Sequence, residues 1–329
     1  MTMFSRMSSS VFSVGLAATL ALGACARADA PAPAPVSTPP ARVLQAAPPA
    51  PRALVLPNTH VHDLPDPRTG RQYELWVDLP ASYAHGDTSY PVVFVTDAGY
   101  SFPLVRSIRN LLGQRGRNIE DFILIGLPPQ QGLTSKQSRS RDYTPSNPLG
   151  KPERQSGDYS ATDYGQAQAY RDYVEQQVFP LVAREYRADM GRKVFAGHSL
   201  GGLFGSYVLL TKPEMFQSYI LGSPSLWFDR GEILKYEDAY AREHQDLHAR
   251  VMMYTGMYET PKPGPRYFRS VDLIGDMQSF ERRLKARGYP NLRVGSQVIT
   301  DEDHLTVFPV LISRGLLWAL PGHGPYVSG

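Results

Sequence analysis

From residue 73 to residue 300 short apolar runs alternate with longer stretches of helical spacing, and few folds accommodate that alternation. The runs at 73–79, 90–97, 121–127, 193–197, 216–223, 251–256 and 292–300 are mostly rich in Val, Ile, Phe or Tyr and read as strands. The stretches 102–112, 170–186, 203–210, 271–287 and 305–320 read as helices. Strands and helices in alternation predict an α/β fold, a mostly parallel central sheet with helices on both faces. Beyond residue 57 no linker or repeat interrupts the pattern, so 58–322 is expected to be one domain. In such sheets binding and catalysis collect at the carboxyl ends of the strands.

The first residues carry an address instead of a fold. Residues 1–24 hold one positive charge, Arg6, then an uncharged and largely apolar run over 11–22. That run is shorter than the ~20 residues a membrane span needs and ends in small residues, as secretory signal peptides do. Leu22-Gly23-Ala24-Cys25 resembles the lipobox of bacterial lipoproteins, in which the chain is cut before a cysteine that then carries lipid. The competing reading is cleavage after Ala28-Asp29-Ala30, which would leave Pro31 directly behind the cut. From Pro31 to Pro51 there are eight prolines in an Ala-rich context, which favours extended polyproline segments. The expectation is a lipoprotein signal peptide at 1–24 and an Ala/Pro-rich tether at 25–57. The domain would then sit on the periplasmic side of a bacterial membrane, anchored through Cys25. Ala26 matches the pattern that sends lipoproteins to the outer membrane.

Charge and cysteine usage exclude other classes. Thirty-four Lys and Arg against 31 Asp and Glu leave a formal charge of +3, too balanced for the basic field of a nucleic-acid binder. Cys25 is the single cysteine, so no intrachain disulfide and no cysteine-based zinc site is available.

The chemistry concentrates at three predicted strand ends. Gly197-His198-Ser199-Leu200-Gly201 matches G-x-S-x-G between a buried strand and a glycine-rich helix start. A nucleophilic serine held on a sharp elbow needs that setting, because a Cβ on either flanking glycine would clash. The plainer alternative is a serine helix cap with glycines for packing. A serine needs a base, and the base needs an orienting carboxylate. His304 follows the last predicted strand, where the order serine, acid, histidine puts the base. His198 is expected to pack or hydrogen-bond locally, and His60 and His62 to lie on an exposed edge strand. Glu259, just after the strand ending at Gly256, is the favoured acid. Asp272 and Asp276 are its rivals, whereas Asp301 and Asp303 suit capping of the following helix. The N–H of Leu200 and one from the turn Ala98-Gly99-Tyr100, with Gly99 favoured, are the candidate oxyanion donors.

With these pieces in place, the chain resembles the putative-esterase family of α/β hydrolases. The resemblance is nearest to the branch of salmochelin, enterobactin and bacillibactin (siderophore) esterases. It is carried by Tyr90-Pro91-Val92-Val93-Phe94-Val95-Thr96-Asp97, Arg141-Asp142-Tyr143-Thr144-Pro145, Gly197-His198-Ser199-Leu200-Gly201-Gly202, Ser223-Pro224-Ser225-Leu226-Trp227, Gly256-Met257-Tyr258-Glu259 and Asp303-His304. It implies an α/β-hydrolase fold with Ser199 as nucleophile, His304 as base and Glu259 as acid. One departure stands out: Asp97-Ala98-Gly99 replaces the family's usual Asp-Gly, which bears on the oxyanion donor.

The expected activity is therefore hydrolysis of a carboxylic ester through an acyl-enzyme, with no metal or organic cofactor. Acyl transfer on the same fold and a non-catalytic binding lipoprotein are the alternatives. The loop 131–155 holds Lys136, Arg139, Arg141, Lys151 and Arg154 against Asp142 and Glu153. Arg139 and Arg141 beside Trp227 and Phe228 would suit an anionic aromatic ester such as a ferric catecholate siderophore. Against this, Arg141-Asp142 also reads as a structural ion pair.

Overall fold

The computed structural model describes residues 52–113, 115–148, 164–268 and 270–326. The expected signal peptide, Cys25, nearly all of the tether, and Lys151 and Arg154 lie outside these residues. The main body begins at Val55.

Eight strands form one sheet: β1 (Thr59–Asp63), β2 (Glu74–Asp78), β3 (Tyr90–Thr96), β4 (Ile123–Leu127), β5 (Ala188–His198), β6 (Ser218–Gly222), β7 (Ala249–Gly256) and β8 (Leu292–Ile299). Their spatial order is β1-β2-β4-β3-β5-β6-β7-β8. Strand β2 is antiparallel to both β1 and β4, and every other neighbouring pair is parallel. The chain leaves β3 toward β4 on one side and returns as β5 on the other. The carboxyl ends of β3 and β5 therefore diverge around a crevice, the place where open α/β sheets bind ligands.

Side chains alternate between two buried layers. Val92 and Phe94 of β3 join one layer with Phe195, Tyr219, Leu221, Val251 and Met253. Val93 and Val95 join the other with Leu124, Val194, Ala196 and Ile220. Burial on both faces explains why these strands read as continuous apolar runs rather than alternating ones. Helices α1 (Ala98–Leu112) and α9 (Val307–Ala319) cover the second layer. The first is covered by α3 (Ala167–Tyr173), α4 (Phe179–Glu185), α5 (Leu200–Thr211), α7 (Ile233–Glu243) and α8 (Leu273–Ala286). Of two short helices, α6 (Phe228–Gly231) adds Phe228 to the first layer and α2 (Ser135–Asp142) adds nothing to either layer.

Helix α7 was not foreseen from the sequence and β5 starts at Ala188 rather than 193, and three further segments differ from expectation. The helix predicted at 170–186 is α3 and α4 joined through a π turn, Val174–Val178. Pro180, at the start of α4, cannot donate the next helical hydrogen bond, and the wider turn accommodates that loss. Helix α1 starts at Ala98 rather than 102, so the turn expected at Gly99 is the first turn of a helix. Part of the loop expected at 131–155 is α2, begun by a capping box between Thr134 and Gln137.

The antiparallel edge is held by a buried charge. Asp78 is fully buried at the end of β2 and accepts from Thr59 Oγ1 (3.0 Å), Arg106 Nε (2.8 Å) and Arg109. Arg109, itself buried, also donates to the Phe122 carbonyl at 3.0 Å, so α1 is pinned to both β2 and β4. Removing one member leaves the other charge buried without compensation. Asp78→Ala is expected to lose about 3–5 kcal/mol in urea unfolding. A loss below about 1 kcal/mol, the range of surface pairs, would contradict this role.

Candidate active site

Ser199 ends β5 and caps α5 with φ 59° and ψ −118°, a conformation that non-glycine residues rarely adopt. Such a backbone costs on the order of 1–3 kcal/mol and persists only where its surroundings fix it. Here the Ser199 N–H donates to the Gly222 carbonyl (2.8 Å), and its carbonyl accepts from Leu203 (3.0 Å) and Ser225 (3.1 Å). The flanking glycines are needed: a Cβ on Gly197 would lie 2.4 Å from the Gly201 carbonyl oxygen, and one on Gly201 2.3 Å from Thr96 Oγ1. The Ser199 hydroxyl has the Ser225 hydroxyl 3.4 Å away. The first N–H groups of α5, Leu200 among them, have no acceptor within the helix.

Glu259 follows β7 and is fully buried. Its Oε1 accepts from the Ser223 hydroxyl (2.7 Å) and the Gly256 N–H (2.8 Å), and its Oε2 lies 2.8 Å from His304 Nδ1. With Nδ1 turned to the carboxylate, Nε2 is the nitrogen left to handle a substrate proton. The His304 loop is latched from outside by Arg266, which donates to Asp301 Oδ1 (3.1 Å) and Asp303 Oδ2 (3.0 Å) and lies over the Tyr258 ring. Asp303 also accepts from the N–H groups of Leu305 and Thr306 in the turn that leads into α9, whose N-cap is Thr306.

His198 does more than pack. It is only 6% exposed, its Nε2 lies 2.8 Å from the His304 carbonyl oxygen, and the two rings are 4.7 Å apart. As Nε2 must then carry the proton, His198 donates to the backbone of the histidine it adjoins. Burial first, then the neighbouring His304 and Arg139 charges, push its pKa down to about 3, so it stays neutral.

Ser199, His198 and His304 open onto a cavity of about 740 Å³ at the crevice between β3 and β5. Gly99, Tyr100, Leu104, Leu305 and Phe308 line it, together with Asp97 and Arg139. Gly99 therefore faces the same space as Ser199, with its N–H in the first turn of α1. Asp97 caps that helix in the left-handed conformation (φ 55°). Arg139 grips the Asp97 carboxylate through Nε (3.0 Å) and Nη2 (3.2 Å) and also reaches the His198 carbonyl (3.4 Å).

The structure thus brings Ser199, His304, Glu259, Leu200 and Gly99 to one edge and separates the expected substrate contacts. Arg139 lines the cavity but is committed to Asp97. Arg141 does not line it: its guanidinium grips Asp142 (2.7 and 2.9 Å) and Tyr73, so the ion-pair reading holds. Phe228 is buried with its ring stacked on Tyr164, and half-exposed Trp227 is outside the cavity lining. Both lie beyond β6 in a turn whose backbone takes left-handed values at Asp229 and Arg230. Of the rival acids, Asp272 caps α8 through the Gly275 N–H (3.0 Å), and Asp276 lies beside it within that helix. His60 and His62 are on edge strand β1, with His62 bonded to the Tyr186 hydroxyl (2.6 Å). The sequence reading did not foresee Asp97, Ser223 or Arg266 as site residues. Asp97 and Ser223 stood inside quoted motifs, but nothing in the sequence signalled their pairing partners.

A strained serine elbow on a mostly parallel sheet, with a histidine–carboxylate pair at the same edge, defines an α/β hydrolase. Residues 67–292 match the family model described as "Putative esterase", and the chain belongs to that family of ester hydrolases. The chain is 28% identical over 283 residues to the ferri-bacillibactin esterase BesA of Bacillus subtilis, covering 84% of this chain and 94% of that protein. It is 26% identical to the siderophore triacetylfusarinine C esterase of Aspergillus fumigatus, covering 81% and 94% respectively. The solved BES protein from Bacillus cereus shares the fold with a TM-score of 0.71 at 23% identity, over 82% of this chain and 99% of that one.

Neutral burial of His198 links stability to pH. In the unfolded chain a histidine takes up a proton near pH 6.5, while folded His198 does so only near 3, so stability falls as pH drops between these values. From pH 7 to pH 5 this one group is expected to remove about 2 kcal/mol. His198→Gln, which keeps a donor but cannot titrate, should flatten the loss by that amount in denaturant unfolding. An unchanged slope would mean that His198 ionises in the folded state.

Proposed function

We propose that this protein is an exported serine esterase that cleaves siderophore esters through an acyl-enzyme. Ser199 Oγ attacks the ester carbonyl while His304 Nε2 takes its proton, and the carbonyl oxygen receives the N–H groups of Leu200 and Gly99. The Glu259 carboxylate holds the imidazole in the required tautomer and offsets its charge as it becomes imidazolium. His304 then returns the proton to the departing alcohol. A water, deprotonated by the same histidine, releases the acid and restores Ser199.

One observation carries this reading: the buried Glu259 carboxylate spends Oε1 on Ser223 and Gly256 and Oε2 on His304, whose ring opens with Ser199 onto one cavity. The siderophore part rests on relatives named for that activity, matched over most of both chains. Export and anchoring rest on the sequence of residues 1–25. Cys25→Ser is expected to move the protein from the membrane fraction to the soluble one and abolish lipid labelling. A native mature chain that starts at Pro31 without lipid would refute the anchor.

Ser199→Ala and His304→Ala are each expected to abolish most turnover of 4-nitrophenyl acetate and of a catecholate trilactone. Glu259→Gln should lower kcat by roughly 10³–10⁴-fold, because the amide favours the wrong tautomer of His304. Unchanged kcat/KM in Glu259→Gln would remove Glu259 from the mechanism.

A further inference from the structure

The cavity in front of Ser199 carries a charge balance that bears on which part of an ester it can hold. Its cation, Arg139, is bound bidentately by Asp97, and Asp97 lines the same cavity. Burial pushes the Asp97 carboxyl up while the guanidinium pulls it back, and the two-point geometry is that of an ion pair. The other basic group deep in the cavity, His198, is held neutral. Among the described residues the Asp97–Arg139 pair therefore leaves the lining with no uncompensated carboxylate or guanidinium charge. The remaining walls are mostly apolar: Tyr100 packs edge-on against Phe308 at 5.1 Å with its hydroxyl bonded to Asp97, Leu104, Pro129 and Pro309 lie alongside, Ser135 adds one hydroxyl, and Leu305 forms a lip that is 81% exposed. Leu305 follows the proposed base, His304, directly in sequence, so a group bound beside that base would meet an apolar side chain.

We infer that this cavity is a subsite for an uncharged aliphatic or aromatic group next to the scissile ester, and that it rejects a carboxylate or other anion at that position. The inference rests on the esterase reading of Ser199 and His304. An anion entering would lose its hydration beside the Asp97 carboxylate, with Arg139 Nε and Nη2 already engaged by Asp97 and the His198 carbonyl. An uncharged group would instead release water from Tyr100, Leu305 and Phe308. For a siderophore, the ester and its uncharged surroundings would enter, and the charged iron-binding groups would stay in solvent.

The test uses two esters of similar length, 4-nitrophenyl hexanoate and the mono-4-nitrophenyl ester of adipic acid, which ends in a carboxylate. Wild type is expected to prefer the hexanoate at least about tenfold in kcat/KM, with the ratio nearly constant from about 20 to about 500 mM salt. Leu305→Lys, at an exposed position tolerant of change, should raise kcat/KM for the adipate ester several-fold at low salt, with the gain lost at high salt. Asp97→Asn, which frees Arg139, should act in the same direction where circular dichroism shows it folded. Equal or better wild-type turnover of the adipate ester, falling steeply with salt, would show that Arg139 is available to anions and would overturn the inference. If wild type cleaves neither ester, or Ser199→Ala cleaves both, the esterase reading itself fails and the subsite falls with it.

Discussion

The site depends on a carboxylate that has no contact with water. Glu259 is fully buried, where an uncompensated negative charge would be strongly unfavourable, and three donors surround it instead. Each donor comes from a different place: Ser223 after β6, Gly256 at the end of β7, and His304 after β8. The charge therefore draws three successive strand ends together and orients His304 in one step. Arg266 repeats the arrangement on the solvent side, clamping Asp301 and Asp303 around His304. A histidine on a loop has many conformations to lose, and these contacts remove most of them before any substrate arrives.

The opposite side of the crevice is tied by a second ion pair. Arg139 bridges Asp97, at the head of α1, to the carbonyl of His198, which immediately precedes Ser199. The two helix starts that carry the candidate oxyanion donors are thereby held at a set separation. His198 completes the link by donating to the His304 backbone. Elbow, candidate donors and candidate base are thus connected through one polar network. The same commitment withdraws Arg139 from simple service as an anion receptor.

Much of this was legible in the chain itself. Gly197, Gly201 and the apolar strand before them announce the elbow, because the clash that excludes other residues is a local matter of backbone geometry. His304 and Glu259 could be picked from several candidates because the order of strands limits which loops reach the carboxyl edge. Phe228 shows where local reading failed, while at Arg141 the local ion pair with Asp142 was the alternative the sequence already offered. An aromatic after a strand looks available for a ligand, and its burial depends on a partner distant in sequence, Tyr164.

Sequence by itself determined the class of fold and the elbow and narrowed the acid to Glu259 and its rivals Asp272 and Asp276, since periodicity, glycine placement and strand order are properties of the chain alone. Tertiary structure decided which charges are free. Asp97 cancels Arg139 across 42 positions, and His198 is neutral because β5 and the His304 loop enclose it. Charge balance in a cavity is set by distance in space, and a linear sequence records distance only along the chain.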